Sequence, residues 1–294
     1  MKFISLSQCA FFSASFLSLT TIFSLLPVFA DTAISRDSLN SIEIPVTLPR
    51  NDTSGICSNQ IEPVINQIIE RPDIDKGKWA ILVQSLGGTN IYSHNPDSYM
   101  VPASNIKLLV TAAALQKFSL NEQIESTSIR DWITVTNQKS NNAYANVLLA
   151  HVGGFSSVEQ ALTNLGIDAN GYRLRDGSGL SHNNLATPRT LVSTLRAMSY
   201  ARGNDVFLAS LPVAGISGTL KNRLRHTTAE GTVRAKTGTL RGVRALSGYI
   251  DHPEYGTLVF SIITNQSTSQ PSSPVVQAID DIVLSLSTLT NCQD

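Results

Sequence analysis

The chain has 294 residues, of which 42% are hydrophobic and 15% are charged, and its formal net charge is zero. This length and composition provide enough apolar material for one large domain or two small ones. No block of Lys and Arg occurs in the sequence, which excludes nucleic-acid binding as the main function, because such binding needs a concentrated basic face.

The N-terminus has the pattern of a secretory signal peptide. Lys2 supplies a thin positive region, an apolar stretch runs from about residue 11 to residue 29, and compact residues end it at Ala30. We predict a signal peptide over residues 1–30, cleaved after Ala30, and a polar linker over residues 31–54. An uncleaved membrane anchor is the alternative, because the apolar stretch approaches the length of a spanning helix. Either way, the rest of the chain is expected in the periplasm or cell envelope.

Helix and strand patterns follow the linker. Apolar residues at positions 61, 64, 65, 68 and 69 recur at helical spacing. Strand-like runs at 79–86 and 89–93 are separated by Gly87-Gly88, which is typical of a two-residue hairpin turn. A helix is predicted from Pro102 to about Phe118, and short helices and loops continue to about residue 220.

Strand signals return at 233–240, 244–251 and 257–264, and an amphipathic helix over 275–286 closes the chain. Strands therefore occur at both ends of the sequence and helices in the middle. This order predicts an α/β fold of the α+β type, with one antiparallel sheet from the N- and C-terminal segments, flanked by terminal helices, and an inserted helical subdomain. We place the domain at 55–294, with sheet parts at about 55–101 and 221–294 and the helical part at about 102–220.

Cysteine usage fits an exported protein. Cleavage would remove Cys9 and leave Cys57 and Cys292, an even number in an oxidising compartment, which suggests a disulfide. The two terminal helices are expected on one face of the sheet, which would place these cysteines near each other. Two unrelated free thiols are the alternative.

The predicted helix at 102–118 carries Ser104 and Lys107, and residues three apart lie on the same face of a helix. A serine hydroxyl is a weak nucleophile until a base takes its proton, and burial can lower the pKa of a lysine enough for it to be that base. A helix cap and a surface lysine would be the ordinary interpretation of such a pair. Because the run around Lys107 is almost wholly apolar, we predict a buried lysine and a nucleophile–base pair.

Two further polar segments are candidates for the same site. Ser140-Asn141-Asn142 precedes a helical run, where such residues ordinarily serve as an N-cap. Lys236-Thr237-Gly238-Thr239 lies in a strand-like run, where a glycine often marks the close approach of a ligand to the backbone. The lysine and the two hydroxyls would suit a carboxylate, and an edge strand with a polar outer face is the alternative.

Other kinds of catalytic site find no support. Asp176 instead of glycine precedes Ser178 by two residues, so the Gly-x-Ser-x-Gly elbow of α/β-hydrolases is absent. The five histidines lack the spacing of a zinc-binding helix. We predict neither a metal nor an organic cofactor, and assign no catalytic role to the turn-like segment 176–181.

The three motifs together resemble the Ser-x-x-Lys, Ser-Asp-Asn and Lys-Thr-Gly signature of class A β-lactamases and penicillin-binding proteins, with Asn141 in place of the aspartate. Longer strings at 102–115, 176–181, 211–215 with 218–220, and 233–240 resemble the D-alanyl-D-alanine carboxypeptidase family, in particular its low-molecular-mass class C penicillin-binding members. Well-known members carry two extra domains between the first two motifs, where this chain has only residues 108–139. The resemblance therefore bears on the catalytic core and not on substrate preference.

The resemblance implies a β-lactamase/DD-peptidase-like fold and a penicillin-binding serine enzyme that acts on peptidoglycan stem peptides. Ser104 would attack the penultimate D-alanine while Lys107 accepts its proton, and Ser140 would protonate the leaving amine. Asn142 would hold the substrate amide and Lys107, and Lys236 would supply positive charge.

Substrate binding is implied for three residues of the third motif, Thr237, Gly238 and Thr239. The two threonines would bind the terminal carboxylate, and the backbone N–H groups of Ser104 and Thr239 would form an oxyanion hole. β-Lactam antibiotics would be inhibitors, and no obligatory protein partner is expected.

Three functions remain open from the sequence. The first is a D,D-carboxypeptidase, with D,D-endopeptidase activity as an extension, and the second is a β-lactamase or esterase on the same fold. A class A β-lactamase needs a glutamate between the second and third motifs, and only Glu159 and Glu230 lie there, neither with an asparagine four residues later. The third is a binding protein without catalysis, against which the intact motifs count.

Overall fold

The structure, a computed structural model, describes residues 55–74 and 77–292. These residues belong to one compact unit. The predicted signal peptide and linker lie outside the described residues and stay predictions. Within the described ranges, no helix is both long enough and apolar enough to cross a membrane.

A five-stranded antiparallel sheet forms the centre of this unit. In spatial order its strands are β3 (Asn90–His94), β2 (Lys78–Ser85), β10 (Gly256–Asn265), β9 (Val243–His252) and β8 (Val233–Leu240). Three pairs of short strands lie outside the sheet: β1 (Ile56–Cys57) with β11 (Leu289–Thr290), β4 (Gln123–Ile124) with β5 (Thr127–Ser128), and β6 (Tyr172–Arg173) with β7 (Leu185–Ala186). Strand β8 is the last strand in the order of the five-stranded sheet, so it is an edge strand.

Eight α-helices surround the sheet in the described ranges. They are α1 (Ile61–Ile69), α2 (Ile106–Lys117), α3 (Ile129–Gln138), α4 (Asn142–Val152), α5 (Gly154–Asn164), α6 (Pro188–Met198), α7 (Asn204–Ser210) and α8 (Ser272–Ser287). Helices α1 and α8 pack against each other, and α6 packs against β2, β9 and β10.

The sheet separates two hydrophobic cores, as the alternation along β2 illustrates. Ile81 and Val83 pack in the core of α1 and α8, whereas Ala80 and Leu82 pack in the core that contains the middle helices. Successive side chains of a strand point to opposite faces, so a strand covered on both faces becomes a continuous apolar run. The structure confirms the predicted fold class, an antiparallel sheet from both ends of the chain with helices inserted between them.

The predicted strands match β2, β3, β8, β9 and β10 to within one or two residues. The expected start of the second helix at Pro102 is wrong in detail. A 3₁₀ turn spans Ala103–Asn105, and α2 begins only at Ile106. Ala103 has a φ of 48°, which an α-helix does not allow, so the helix cannot start before it.

The two ends of the described chain meet beside α1 and α8. Strand β1 pairs in parallel with β11. Cys57 and Cys292 form a disulfide, and their Cα atoms are 5.3 Å apart. The terminal helices thus bring the cysteines together in the way that the helix pattern suggested.

Candidate active site

Ser104 lies in a short turn that is held between two glycines of different parts of the fold. A Cβ atom on Gly179 would lie 2.0 Å from the Ala103 carbonyl oxygen, and one on Gly238 would lie 2.7 Å from the Pro102 carbonyl oxygen. Only glycine permits backbones to approach so closely. The turn that carries the predicted nucleophile is therefore fixed on both sides by backbone packing.

Lys107, in the first turn of α2, is fully buried and lies against the serine hydroxyl. Its Nζ is 2.8 Å from Ser104 Oγ and 2.8 Å from Asn142 Oδ1, and it also hydrogen bonds to the Ser178 carbonyl oxygen. The amide and carbonyl oxygens can only accept, so they take the two N–H groups of a neutral amine. The remaining lone pair of Nζ is then available to the Ser104 hydroxyl, as a general base requires.

Burial lowers the pKa of Lys107 to about 8, against the opposing effect of the Asp176 carboxylate, which favours the charged form. A lysine in water titrates near 10.4 and would be almost wholly protonated at neutral pH. The burial of this side chain thus brings a neutral amine within the working range of a base.

The second motif uses its three residues separately. Asn141 is the N-cap of α4, and its side chain accepts a hydrogen bond from the Tyr144 N–H. Ser140 has a φ of 53°, an uncommon conformation for a residue other than glycine. With the cap supplied by Asn141, Ser140 points to Lys236, and Asn142 points to Lys107.

The third motif lies on the edge strand β8. Lys236 is fully buried, and its Nζ is 2.8 Å from Ser140 Oγ and donates to the Thr237 carbonyl oxygen at 3.0 Å. Burial, followed by the positive charge of Lys107, holds its pKa well below the usual lysine range. The positive charge of Lys107 thus disfavours protonation of Lys236.

Backbone N–H groups of β8 also face the site. The Ala235 N–H donates outward to the Pro212 carbonyl oxygen, away from β9. Because N–H groups alternate in direction along a strand, those of Thr237 and Thr239 point outward as well. The Thr239 N–H is thus directed away from the sheet on the side where the cleft lies.

A cleft of about 420 Å³ joins these groups, and its lining includes the side chains of Ser104, Ser140, Asn142, Thr237 and Thr239. A larger cavity, about 1090 Å³, is lined by residues drawn from positions 69 to 100, and none of the predicted site residues lines it. We assign the site to the smaller cleft because the reactive groups converge there. Cys57, Cys292 and Gly238 are not among the residues that line it.

The structure adds cleft residues to which the sequence analysis assigned no role. Thr219 Oγ1 lies 2.8 Å from Thr237 Oγ1, and Arg223 lines the cleft while it forms an ion pair with Asp280 of α8 at 2.6 Å. Leu180 also lines the cleft, with 55% of its surface exposed.

The turn at 176–181, to which we assigned no catalytic role from the sequence, contacts the site directly, because the Ser178 carbonyl oxygen accepts a hydrogen bond from Lys107 Nζ. The resemblance of residues 176–181 to the carboxypeptidase family was the only feature of the sequence that pointed to this turn. In the part of the chain that the structure describes, no group of three or more His, Cys, Asp or Glu could hold a metal ion.

Comparison with solved structures supports the fold. Penicillin binding protein 4 from Haemophilus influenzae in complex with a β-lactam superposes with a TM-score of 0.66 at 14% identity, over 78% of this chain and 99% of that one. A class A β-lactamase from Clostridium kluyveri gives a TM-score of 0.63 at 18% identity, over 78% and 100% of the two chains. At these identities the likeness concerns the fold.

Comparison of sequences is more specific. A D-alanyl-D-alanine carboxypeptidase of Actinomadura sp. is 44% identical over 160 residues, 49% of this chain and 29% of that protein. The chain spans less than half the length of this and the next two curated relatives. The sequence profile of one family matches residues 61–131 and 122–285, which together include all three motifs. This chain belongs to the D-Ala-D-Ala carboxypeptidase 3 (S13) family.

Proposed function

We propose that this chain is a serine-type D-alanyl-D-alanine carboxypeptidase that acts on peptidoglycan stem peptides and is acylated by penicillin. The observation that carries the proposal is the position of Lys107 Nζ, 2.8 Å from Ser104 Oγ, with a lowered pKa and two carbonyl-type acceptors for its N–H groups. This is the arrangement of an activated serine nucleophile.

In the proposed reaction, Ser104 Oγ attacks the carbonyl carbon of the penultimate D-alanine, and its proton passes to Lys107. The C–N bond then breaks, and Ser140 gives its hydroxyl proton to the amine of the departing D-alanine. Lys236, 2.8 Å from Ser140 Oγ, can return a proton to that hydroxyl. The proton taken up by Lys107 then passes to solvent, from which Lys236 regains its own. Water finally attacks the ester carbonyl carbon, which keeps the hydroxyl, and the second proton of the water passes through Lys107 to Ser104 Oγ as the ester C–O bond breaks.

The charge that develops on the carbonyl oxygen needs donors that are already in place. We assign this role to the backbone N–H groups of Ser104 and Thr239, since β8 directs the latter outward. Loss of one such donor typically costs about 10²–10³ in rate. Thr237 and Thr239, which line the cleft, would bind the terminal carboxylate.

The proposal is tested by release of D-alanine from a peptide that ends in D-Ala-D-Ala. We expect the purified chain to release one D-alanine per peptide, and the Ser104→Ala variant to release none above background. Release by a Ser104→Ala variant with a wild-type melting curve would exclude the assigned nucleophile. The same assay on a cross-linked muropeptide tests the endopeptidase extension.

A β-lactamase function is disfavoured by the lack of a free carboxylate at the ester. Among the described residues, no Asp or Glu side chain hydrogen bonds to Ser104 or Lys107, and Glu230 accepts from the His226 N–H at 2.6 Å. We expect the penicilloyl group to remain on the protein for minutes or longer, as measured by intact mass after excess penicillin is removed. Rapid multiple turnover of penicillin would support the β-lactamase alternative.

A further inference from the structure

The turn at residues 176–181 is organised around one carboxylate. Asp176 Oδ1 accepts from the Ser178 N–H (2.8 Å), the Ser178 hydroxyl (2.8 Å) and the Gly179 N–H (2.6 Å). Asp176 Oδ2 accepts from the Ser181 N–H (2.8 Å) and from Asn184 Nδ2 (3.0 Å). An ionised carboxylate has about four lone-pair sites, so these five donors saturate it. Asp176 therefore has no acceptor capacity left for a proton-transfer role of its own.

This turn fits tightly between the elements that carry the first two motifs. A Cβ atom on Gly177 would lie 2.5 Å from the Ala145 carbonyl oxygen of α4, and one on Gly179 would lie 2.0 Å from that of Ala103. The Gly177 N–H also donates to Asn146 Oδ1 at 2.9 Å. Any shift of the turn would thus move it relative to both Ser104 and Asn142.

At the centre of the turn, the Ser178 carbonyl oxygen accepts from Lys107 Nζ and lies 3.4 Å from Ser104 Oγ. Ser178 is almost fully buried. Without this acceptor, one N–H of a neutral Lys107 would lose its partner, and the lone pair of Nζ would no longer be directed at Ser104.

We propose that Asp176 is a positioning residue for acylation: its carboxylate fixes the 176–181 turn so that the Ser178 carbonyl oxygen orients the Lys107 amine toward Ser104. This inference rests on the proposed function, because it concerns the acylation of Ser104.

The charge of Asp176 adds a second effect that a purely structural residue would not have. Two titratable groups interact electrostatically with Lys107, Asp176 from the turn and Lys236 from β8, whereas α4 contributes the neutral Asn142. Burial opposes ionisation of Asp176, but the hydrogen bonds from Ser178, Ser181, Gly179 and Asn184 outweigh it and hold the pKa of Asp176 below its usual range. The carboxylate is thus ionised at neutral pH and favours the protonated form of Lys107.

The sign of the pH effect follows from this. Acylation needs neutral Lys107, so its rate should rise with pH through the pKa of Lys107, about 8. Asp176→Asn removes the charge that raises this pKa, so the rising limb should move to lower pH. The same variant places an amide NH₂ against the N–H donors of the turn, so the plateau rate should fall, on the order of 10²-fold for a misplaced catalytic group.

The test is the rate of labelling by a fluorescent penicillin as a function of pH, for wild type, Asp176→Asn and Asn184→Ala. Asn184 accepts from the Arg175 N–H at 2.7 Å and donates to Asp176, so its removal loosens the turn while the charge stays. We expect both variants to have a lower plateau, and only Asp176→Asn to have its rising limb at lower pH. Melting curves establish that each variant is folded.

An Asp176→Asn variant with a wild-type plateau and a wild-type limb would overturn the proposal, and so would a lower plateau with an unmoved limb. If Asp176→Asn does not fold, Ser178→Ala decides, because it removes a hydroxyl bound to Asp176 Oδ1 and keeps the charge. Its plateau should fall, and a wild-type plateau would contradict the positioning role. If wild type itself is not labelled, the proposed function fails instead.

Discussion

Lys107 on the helical side of the cleft and Lys236 on the sheet side are both fully buried, yet their surroundings differ. Lys107 contacts Ser104, Asn142 and the Ser178 carbonyl, and a carboxylate lies nearby. Lys236 contacts Ser140 and the Thr237 carbonyl oxygen. The charged group that acts on its pKa is the positive Lys107.

Burial alone therefore does not make a lysine a base. Burial lowers both pKa values, but only Lys107 can direct a lone pair at Ser104 Oγ. When Lys107 is neutral, its repulsion of Lys236 is gone, so Lys236 more readily carries a proton. We propose that Lys107 is the base and that Lys236, when protonated, attracts the substrate carboxylate.

The acylation rate should fall most when one of the two lysines is replaced by alanine. Lys107→Ala should slow acylation by about 10²–10⁴-fold, the usual contribution of a general base, and by at least as much as Lys236→Ala. Stopped-flow acylation with penicillin measures both rates. Near-wild-type acylation by Lys107→Ala would mean that another residue takes the proton of Ser104.

A smaller effect is expected from the glycines on the two sides of the nucleophile turn. Gly179→Ala should slow acylation on the order of 10²-fold, as for a displaced catalytic group, because its Cβ would lie 2.0 Å from a backbone oxygen at a φ of 84°. Gly238→Ala, with a nearest contact of 2.7 Å, should slow it less.

The matched control for these glycines is Gly154→Ala. Gly154 has a φ of 81° but no atom within 4 Å of the added Cβ, so it shares the backbone strain of Gly179 without the contact. We expect it to lower stability by about 1–2 kcal/mol and to leave the acylation rate unchanged. Equal rates for the Gly179 and Gly154 variants would mean that the packed turn does not position Ser104.

The smallest effect on acylation is expected from the disulfide, which lines neither side of the cleft. Reduction of the Cys57–Cys292 bond, which joins residues 235 apart, should lower the free energy of unfolding by up to about 5 kcal/mol in the loop-entropy model. Acylation at room temperature should not change. Thermal unfolding with and without reductant, beside a labelling assay, measures both, and lost labelling in a still-folded reduced protein would connect this region to the site.

The local patterns were enough to predict the five strands of the central sheet, the terminal helices and the three motifs, because alternation and helical spacing are properties of neighbouring residues. The short paired strands outside the sheet were not predicted. The contact of Ser178 with Lys107 joins residues 71 apart, and no local pattern encodes it. The 3₁₀ turn at Ser104 was also missed, since the positive φ of Ala103 arises where the chain is pressed between two glycines.

The residue of the second motif that caps α4 was also not predictable from local sequence patterns. From the sequence, any of its polar residues could cap the following helix. In the structure Asn141 alone does so, which leaves Ser140 and Asn142 for the two lysines. That division depends on the φ of Ser140, a tertiary property that the residue types do not determine.

Peptide mapping of the penicillin-treated protein shows directly whether Ser104 is the nucleophile. We predict one penicilloyl group per chain, located on Ser104, and no adduct on a Ser104→Ala variant with a wild-type melting curve. An adduct on Ser140 or Ser178, or continued labelling of the Ser104→Ala variant, would contradict the assignment of Ser104 as the nucleophile.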